Sequence, residues 1–321
     1  MRSSPAGRPK RPPRAPPPLS TPPAPSTPAP QPLFVAGRGN LGRTLATAFN
    51  AAGRPALLTP ARKGLPSLIR SLESLPNAVV FLAVPDDALL AVAERLSEAG
   101  GRISGTVAFV HLSGAQELNA LAPLRANHPI GSFHPLQSFP EPRPPDSLHG
   151  VVVGIDASTP ALLRRLAALA RALGARPKRV TDSERVLYHA AAVFASNYVD
   201  VMLATAVRLL QVAGWSEKEA IAGLLPLTEG MLATVRRRGP VRALTGPVRR
   251  GDVRTVERHL AALSELPTSG ESTAPTVEQY RMLGSIALEI AGEAGLEPAA
   301  VERMHRALTH QAAATRRRRG R

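Results

Sequence analysis

From Leu33 onward the chain alternates short, continuous apolar runs with stretches in which apolar residues recur every three or four positions. LFVA (33–36), ALLT (56–59), AVVFLAV (78–84) and TVAFVHL (106–112) lack polar alternation, which is the pattern of strands buried on both faces of a parallel sheet. Residues 41–52, 65–75 and 87–99 lie between these runs and suit crossover helices. Such repeated β-α units predict an α/β, Rossmann-like, doubly wound parallel sheet with right-handed crossovers. Further strands are expected at 129–133, 151–155 and near 179–180, with a helix over 160–173. After Thr181 the strands stop. TDSE (181–184) reads as a capping box opening a long helix to about Val212, with Gly214 as its stop. SEKE (216–219) opens another, bent by Pro226 and ended by Gly239, and three more helices are expected over 253–264, 275–294 and 298–313. The pattern divides the chain into a tail (1–31), a sheet domain (32–180), an all-helical domain (181–313) and a second tail (314–321).

Composition changes this picture mainly at the ends. The segment before Pro32 is rich in Pro and Arg and nearly free of large apolar residues, so burial cannot offset the entropy of ordering it, and disorder is expected. The formal charge is +16, from 40 basic and 24 acidic residues. Ten of those positive charges lie in the tails: Arg2, Arg8, Lys10, Arg11 and Arg14 at one end, Arg316, Arg317, Arg318, Arg319 and Arg321 at the other. The body keeps +6, ordinary for its size. Aromatic residues make up 3%, and no base-reading motif is present, so nucleic-acid contact is expected to be nonspecific and confined to the tails. The absence of Cys excludes disulfides, thiolate metal sites and thiol nucleophiles, and without an HExxH pair no metal site is expected. Neither a secretory apolar core nor a run of roughly 18 apolar residues stands out, so a cytoplasmic protein with no membrane span is expected.

The first strand runs directly into Gly37-Arg38-Gly39-Asn40-Leu41-Gly42, which opens a helix. Gly37 suits the tight turn, Gly39 the close approach of backbone to a pyrophosphate, and Gly42 the contact of helix with strand. The helix N-terminus would then offer its free amides to the phosphates. A dinucleotide is therefore the expected cofactor. The acid that would grip a ribose 2′-hydroxyl about 20 residues later is missing. Thr59 stands there instead, followed by Arg62 and Lys63, which suit a 2′-phosphate and favour NADP over NAD. The two cations equally suit a solvated loop face. Val84, Pro85 and Asp86 follow the third strand at the carboxyl edge, where ligands bind, and either Asp86 or Asp87 would also serve as a helix N-cap.

Four polar clusters are candidates for chemistry. HLSGA (111–115) offers Ser113 and the Gly114 amide to a cofactor or substrate, and HPLQSF (134–139) holds His134 before a stiffening proline. YHAAAVFASNYVD (188–200) spaces Tyr188, His189, Ser196 and Asn197 along one helix, where the step from His189 to Ser196 returns to nearly the same face. ALTGPVRRGD (243–252) is a turn-rich loop with Thr245, Gly246, Arg249 and Arg250, and Asp252 suits the cap of the following helix. Each histidine taken singly also fits a satisfied packing role. Asn197 is harder to place so, because a buried amide needs partners.

GRGNLG, AVPDDAL (83–89), HLSGA, HPLQSF, YHAAAVFASNY and ALTGPVRRGD resemble, in this order and spacing, an uncharacterised bacterial family. That family joins a Rossmann-like NAD(P)-binding domain to a helical domain of unknown function, similar to the phosphogluconate dehydrogenase and ketopantoate reductase group. The resemblance covers about Leu33 to Glu293 and leaves out both tails. It implies an NADP-type oxidoreductase with its active site between the domains and a helical half that often dimerises, and it supplies no substrate. The signatures match at Gly37, Gly39, Gly42, Asp86, Ser113, Gly114, His134, His189, Asn197, Thr245, Gly246, Arg250, Gly251 and Asp252. The wider group often places a catalytic Lys on the first long interdomain helix, but no Lys lies between Lys178 and Lys218, which leaves proton transfer to His189 or His134.

The expectation is a homodimeric reductase or dehydrogenase acting on a small carbonyl or imine. Asn197 would orient the substrate, with Gly114, Thr245, Gly246 and Arg250 contacting it. The alternative is a non-catalytic NAD(P)-binding sensor or scaffold.

Overall fold

The computed structural model describes residues 31–266 and 276–310, so residues 1–30 of the first tail, the whole second tail and the end of the last expected helix lie outside the described residues. The chain divides into two compact units, with the boundary between His189 and Ala190.

The first unit is built on seven strands: β1 (Leu33–Ala36), β2 (Ala56–Thr59), β3 (Val79–Leu82), β4 (Ala108–His111), β5 (Ile130–Pro135), β6 (Val152–Ala157) and β7 (Arg176–Arg179). Their order across the sheet is β2-β1-β3-β4-β5-β6-β7. The first five strands are mutually parallel, as the apolar runs predict. The sheet is mostly parallel as expected, and one pair departs from it: β6 runs antiparallel to β5. Between these strands the chain forms only a one-turn helix, Pro145–Leu148, amid prolines, instead of the crossover helix that a parallel return requires. A true crossover helix, α4 below, then sets β7 parallel to β6.

Strand alternation explains both cores. Val79 and Phe81 face one side, where they pack with Leu45 and Phe49 of α1 (Asn40–Ala51) and with Phe133. Leu162, Leu166 and Leu169 of α4 (Pro160–Ala172) complete that core. Val80 and Leu82 face the other side, under Leu68 and Leu72 of α2 and Val92 and Leu96 of α3; counted in chain order with the others, α2 is Leu65–Glu73 and α3 is Leu89–Ser97. Rings Phe49 and Phe81 stand 5.2 Å apart, and Phe81 and Phe133 5.3 Å, in tilted or edge-on contacts. β1, β3 and β4, covered on both faces, carry no polar alternation.

The helical half contains α5 (Asp182–Ala195), α6 (Asn197–Val212), α7 (Glu217–Arg238), two one-turn helices α8 (Pro240–Ala243) and α9 (Pro247–Arg250), then α10 (Val253–Ser264), α11 (Thr276–Glu293) and α12 (Pro298–Thr309). The single helix expected to Val212 is two, because Ser196 leaves helical geometry at φ −125° and ψ −71°. Thr181 and Glu184 form half of the expected capping box: the Thr181 N–H donates to the Glu184 carboxylate at 2.9 Å, while the Glu184 N–H donates to the Thr181 carbonyl instead of the hydroxyl. The Ser216–Glu219 box is complete, and Gly239, at φ 77°, ends α7 as expected. Pro226 lies inside an α7 that is continuous from end to end. Val256, Leu260, Leu288, Met304 and Leu308 form a small core in the second unit.

Much of this half is apolar and uncovered. No residue of α6 is buried, and α7 buries only Ala220. Leu227 is 70% exposed, Phe194 67% and Met282 64%. Among the described residues one stretch, Asp182–Val212, broken at Ser196, is long and apolar enough by length and composition to cross a membrane.

Candidate functional site

The carboxyl ends of the first five strands form one edge, and in strand order this edge carries Thr59, the glycine loop, Asp86, Ser113 and His134. The glycine loop is built as its sequence requires. At Gly37, φ is +133° and a Cβ would lie 1.9 Å from the Ala83 carbonyl oxygen, so no side chain fits. A Cβ on Gly42 would meet the Gly37 carbonyl oxygen at 2.2 Å, which fixes the closeness of α1 and β1. Gly39 differs: nothing lies within 4 Å of its missing Cβ. It caps α1 without a side chain, and no acid occupies the first turn, so these amides are open to a phosphate. The residues therefore fit a dinucleotide.

The flanks of the loop are pinned. The Gly37 N–H donates to the Thr59 carbonyl at 2.8 Å, while the Thr59 hydroxyl is buried and has no partner among the described residues. Arg62 and Lys63 are exposed just beyond it. The Asn40 amide is committed to structure, donating to the carbonyls of Phe139 and Pro140 at 3.1 and 2.7 Å, and the Thr44 hydroxyl accepts the Arg143 N–H at 2.8 Å. The segment after HPLQSF is thus tied to the helix that follows the glycine loop. Arg38 is exposed, and its carbonyl takes the Arg43 Nε at 2.8 Å; Leu41 packs against the first core.

Neither Asp86 nor Asp87 caps a helix; Pro85 precedes the short turn Asp86–Ala88, which carries no side-chain cap. Asp86 instead accepts the Ser113 hydroxyl at 2.7 Å, while Ser113 Oγ accepts the amides of Ala115 and Gln116 at 3.1 and 3.0 Å. Val84 leads into this turn from β3 and packs with the second core.

Beyond Ser113 three imidazoles gather. His134 Nδ1 stands 3.0 Å from the Tyr188 hydroxyl. Tyr188 reaches β5 because β6 offers Gly154 opposite His134, where a Cβ would press on the phenol at 3.0 Å. His189 is the next residue of α5, and its ring centroid lies 6.4 Å from that of His134. Gly114 separates the two rings closely: a Cβ there would be 2.8 Å from His134 Nε2 and 2.9 Å from His189 Nδ1. His189 Nδ1 is buried without a partner among the described residues. Behind them His111 is 0% exposed with both ring nitrogens unpartnered among the described residues, and Arg185, also 0% exposed, donates to Ser132 Oγ at 2.6 Å.

Electrostatics separates these groups. Burial above all, then the charges of His189 and Arg185, holds His134 down at about 4. Burial, then Arg185 and His134, pushes His111 down to about 3. Burial raises the Tyr188 phenol to about 12 against the opposing pull of Arg185. At neutral pH, His134 and His111 are neutral imidazoles and Tyr188 is a phenol.

The structure thus collects the glycines, Asp86, Ser113, Gly114, His134 and His189 along one edge of one unit. The other sequence candidates belong to the second unit. Asn197 opens α6 and is exposed, Thr245 and Arg250 are exposed, and Gly246 precedes α9 at φ 94°. Arg249 is structural, donating to the Ala294 carbonyl at 2.8 Å, and Asp252 caps α10 through the Thr255 N–H at 3.1 Å. Sequence reasoning missed Arg185 and His111. His111 looked like the end of an apolar strand, and Arg185 like an ordinary helix charge three residues after Asp182. The available signal was Arg185-x-x-Tyr188-His189, three polar residues on one face of an otherwise apolar helix.

Residues 151–287 match the family described as domain of unknown function DUF2520. No curated protein matches the chain. Among solved structures the chain is similar to a candidate NADP oxidoreductase from Bacteroides fragilis, with a TM-score of 0.62 and 23% identity over 82% of this chain and 98% of that one. A protein from Thermotoga maritima gives 0.60 and 20% over 82% and 99%. The pyrroline carboxylate reductase of Plasmodium falciparum, solved with NADP bound, gives 0.51 and 11% over 87% and 100%. At these identities the likeness is one of fold, an oxidoreductase-like Rossmann architecture followed by helices.

Proposed function

We propose that the protein is a cytoplasmic, homodimeric NADP-dependent oxidoreductase that reduces or oxidises a small carbonyl or imine compound. The observation that carries this reading is the shared sheet edge: an open glycine cradle at β1 and a set of imidazoles at β5. Thr59 and His134 lie four inter-strand steps apart, on the order of 19 Å, a span suited to a dinucleotide laid across the strand ends. Gly37, Gly39 and Gly42 would shape the pyrophosphate site, the unpartnered Thr59 hydroxyl with Arg62 and Lys63 would take a 2′-phosphate, and the Asp86–Ser113 pair would border the nicotinamide end. When bound, the cofactor supplies or accepts a hydride.

The side chains of this unit divide the remaining work. The Tyr188 hydroxyl lies 3.0 Å from His134 Nδ1; with the phenol as donor there, the ring proton of neutral His134 would stand on Nε2 as a hydrogen-bond donor to the substrate heteroatom. With a pKa of about 4, His134 is protonated in roughly one molecule in a thousand at pH 7, so it is a poor source of the transferred proton. That role falls to His189. Asn197, Thr245, Gly246 and Arg250 remain candidates for substrate recognition, with the guanidinium of Arg250 suited to a carboxylate.

The test is a fluorescence titration with NADPH and NADH, followed by NADPH turnover with small ketones and imines. Tight NADPH binding, about tenfold weaker in Arg62→Ala with NADH unaffected, supports the cofactor assignment. Turnover that is lost in His189→Gln supports the chemistry. Binding without turnover of any probe would instead favour the sensor reading, and no binding refutes both.

A further inference from the structure

Arg185 is the largest fully buried side chain among the described residues. A buried guanidinium seldom repays its desolvation through stability alone, since a well-packed apolar replacement is often as stable. Its geometry gives it another use. Nη2 donates to Ser132 Oγ at 2.6 Å and to the Val180 carbonyl at 3.1 Å. Nε lies 3.8 Å from Asp182 Oδ1, an oxygen that also accepts the Leu118 N–H at 3.0 Å. Ser132 is the register partner of His111 across the β4–β5 ladder, so their side chains share one face about 4.8 Å apart, and a guanidinium gripping Ser132 stands beside the His111 ring. Tyr188 and His189 follow Arg185 at three and four residues, on the same face of α5. The pin at Ser132 therefore sets the level at which Tyr188 meets His134 and His189 meets Gly114.

Resting on the reductase reading of this site, we propose that Arg185 is a positioning residue. It fixes where α5 delivers Tyr188 and His189, and its charge beside His111 and His134 adds to burial in keeping those two imidazoles neutral. The groups facing this cluster are His111 from β4, His134 from β5, Asp156 from β6, Glu117 from the loop after β4, and Asp182, Tyr188 and His189 from α5. Burial lowers the Arg185 guanidinium from its ordinary value and Asp182 and Asp156 oppose this by favouring the charged form, and an arginine stays a fixed charge.

The experiment is a pH titration of the full chain, labelled at histidine nitrogen and read by NMR, for wild type, Arg185→Met, Arg185→Lys and Ser132→Ala. In Arg185→Met the His134 and His111 midpoints are both expected to rise, while staying below the ordinary 6.5, because burial, the largest cause of both depressions, remains. Arg185→Lys, which keeps the charge, should restore the low midpoints. Ser132→Ala should keep them low while shifting the His189 ring signals as α5 loses its pin. Should Arg185→Met fail to fold, Arg185→Gln gives the same neutral comparison. Unchanged His134 and His111 titrations in the neutral variants, or His189 signals unmoved by Ser132→Ala, would overturn the proposal. NADPH titration of the same proteins is expected to stay within about twofold of wild type, as for independent sites. A wild-type chain that binds no NADPH refutes the reductase reading and leaves the imidazole titrations to judge Arg185 alone.

Discussion

Single atoms decide most of what happens at the sheet edge. An alanine methyl at position 114 would press on both His134 and His189, at 2.8 and 2.9 Å. Gly114→Ala is therefore expected to keep NADPH affinity and lose more than about tenfold in turnover, since misplacing reacting groups by even 1 Å can cost that much. Gly37→Ala should behave oppositely and abolish dinucleotide binding, because its Cβ would collide with the Ala83 carbonyl and its φ is disallowed for alanine. The buried histidines also set an acid limit. Below about pH 6.5 the unfolded chain takes up protons at His111 and His134 that the folded chain refuses until about pH 3 and 4. The unfolded state then binds more protons, so stability falls as pH falls through that window, by on the order of a few kcal/mol. Urea midpoints should drop between neutral pH and pH of about 4.5, and His111→Phe should flatten the decline. The glycines and both candidate histidines were legible as motifs. Arg185 was harder to read, because its one signal, a helix face shared with Tyr188 and His189, does not tell a buried guanidinium from a solvated one.

Elements were more legible than their joins. Continuous apolar runs located the strands, yet such a run carries no direction, and only the helix-poor, proline-rich path from β5 to β6 explains the antiparallel turn. Helix periodicity likewise passed through Ser196, since the backbone breaks there while the apolar stripe continues. The tie between α1 and the segment after β5 depends on Asn40 reaching carbonyls about a hundred residues away, beyond any sequence window. Asn40→Ala leaves those carbonyls without their donor. It is expected to cost about 1–2 kcal/mol and to speed amide exchange over residues 139–143, measured by hydrogen–deuterium exchange; unchanged protection there contradicts the clamp.

For the molecule as a whole, charge and apolar surface pull the reading in different directions. The basic excess belongs mostly to the tails, whereas the helical half presents apolar surface on the order of 1,000 Å², comparable to the roughly 800 Å² per partner of a stable interface. α6 has just two charged side chains, Asp200 and Arg208, so a second copy of the same face meets little repulsion. The full chain is expected to sediment as a dimer and Leu232→Lys to weaken it; a monomer that binds lipid vesicles would give the face to a membrane instead. The boundary at His189 has a further meaning. The glycine cradle and every imidazole of the edge cluster precede it, encoded in one uninterrupted stretch of the chain. Genetic exchange downstream of that codon would graft a new helical half onto an intact glycine cradle and imidazole cluster. Selection would thus act on the helical half while leaving the coding segment of the sheet-edge cluster untouched.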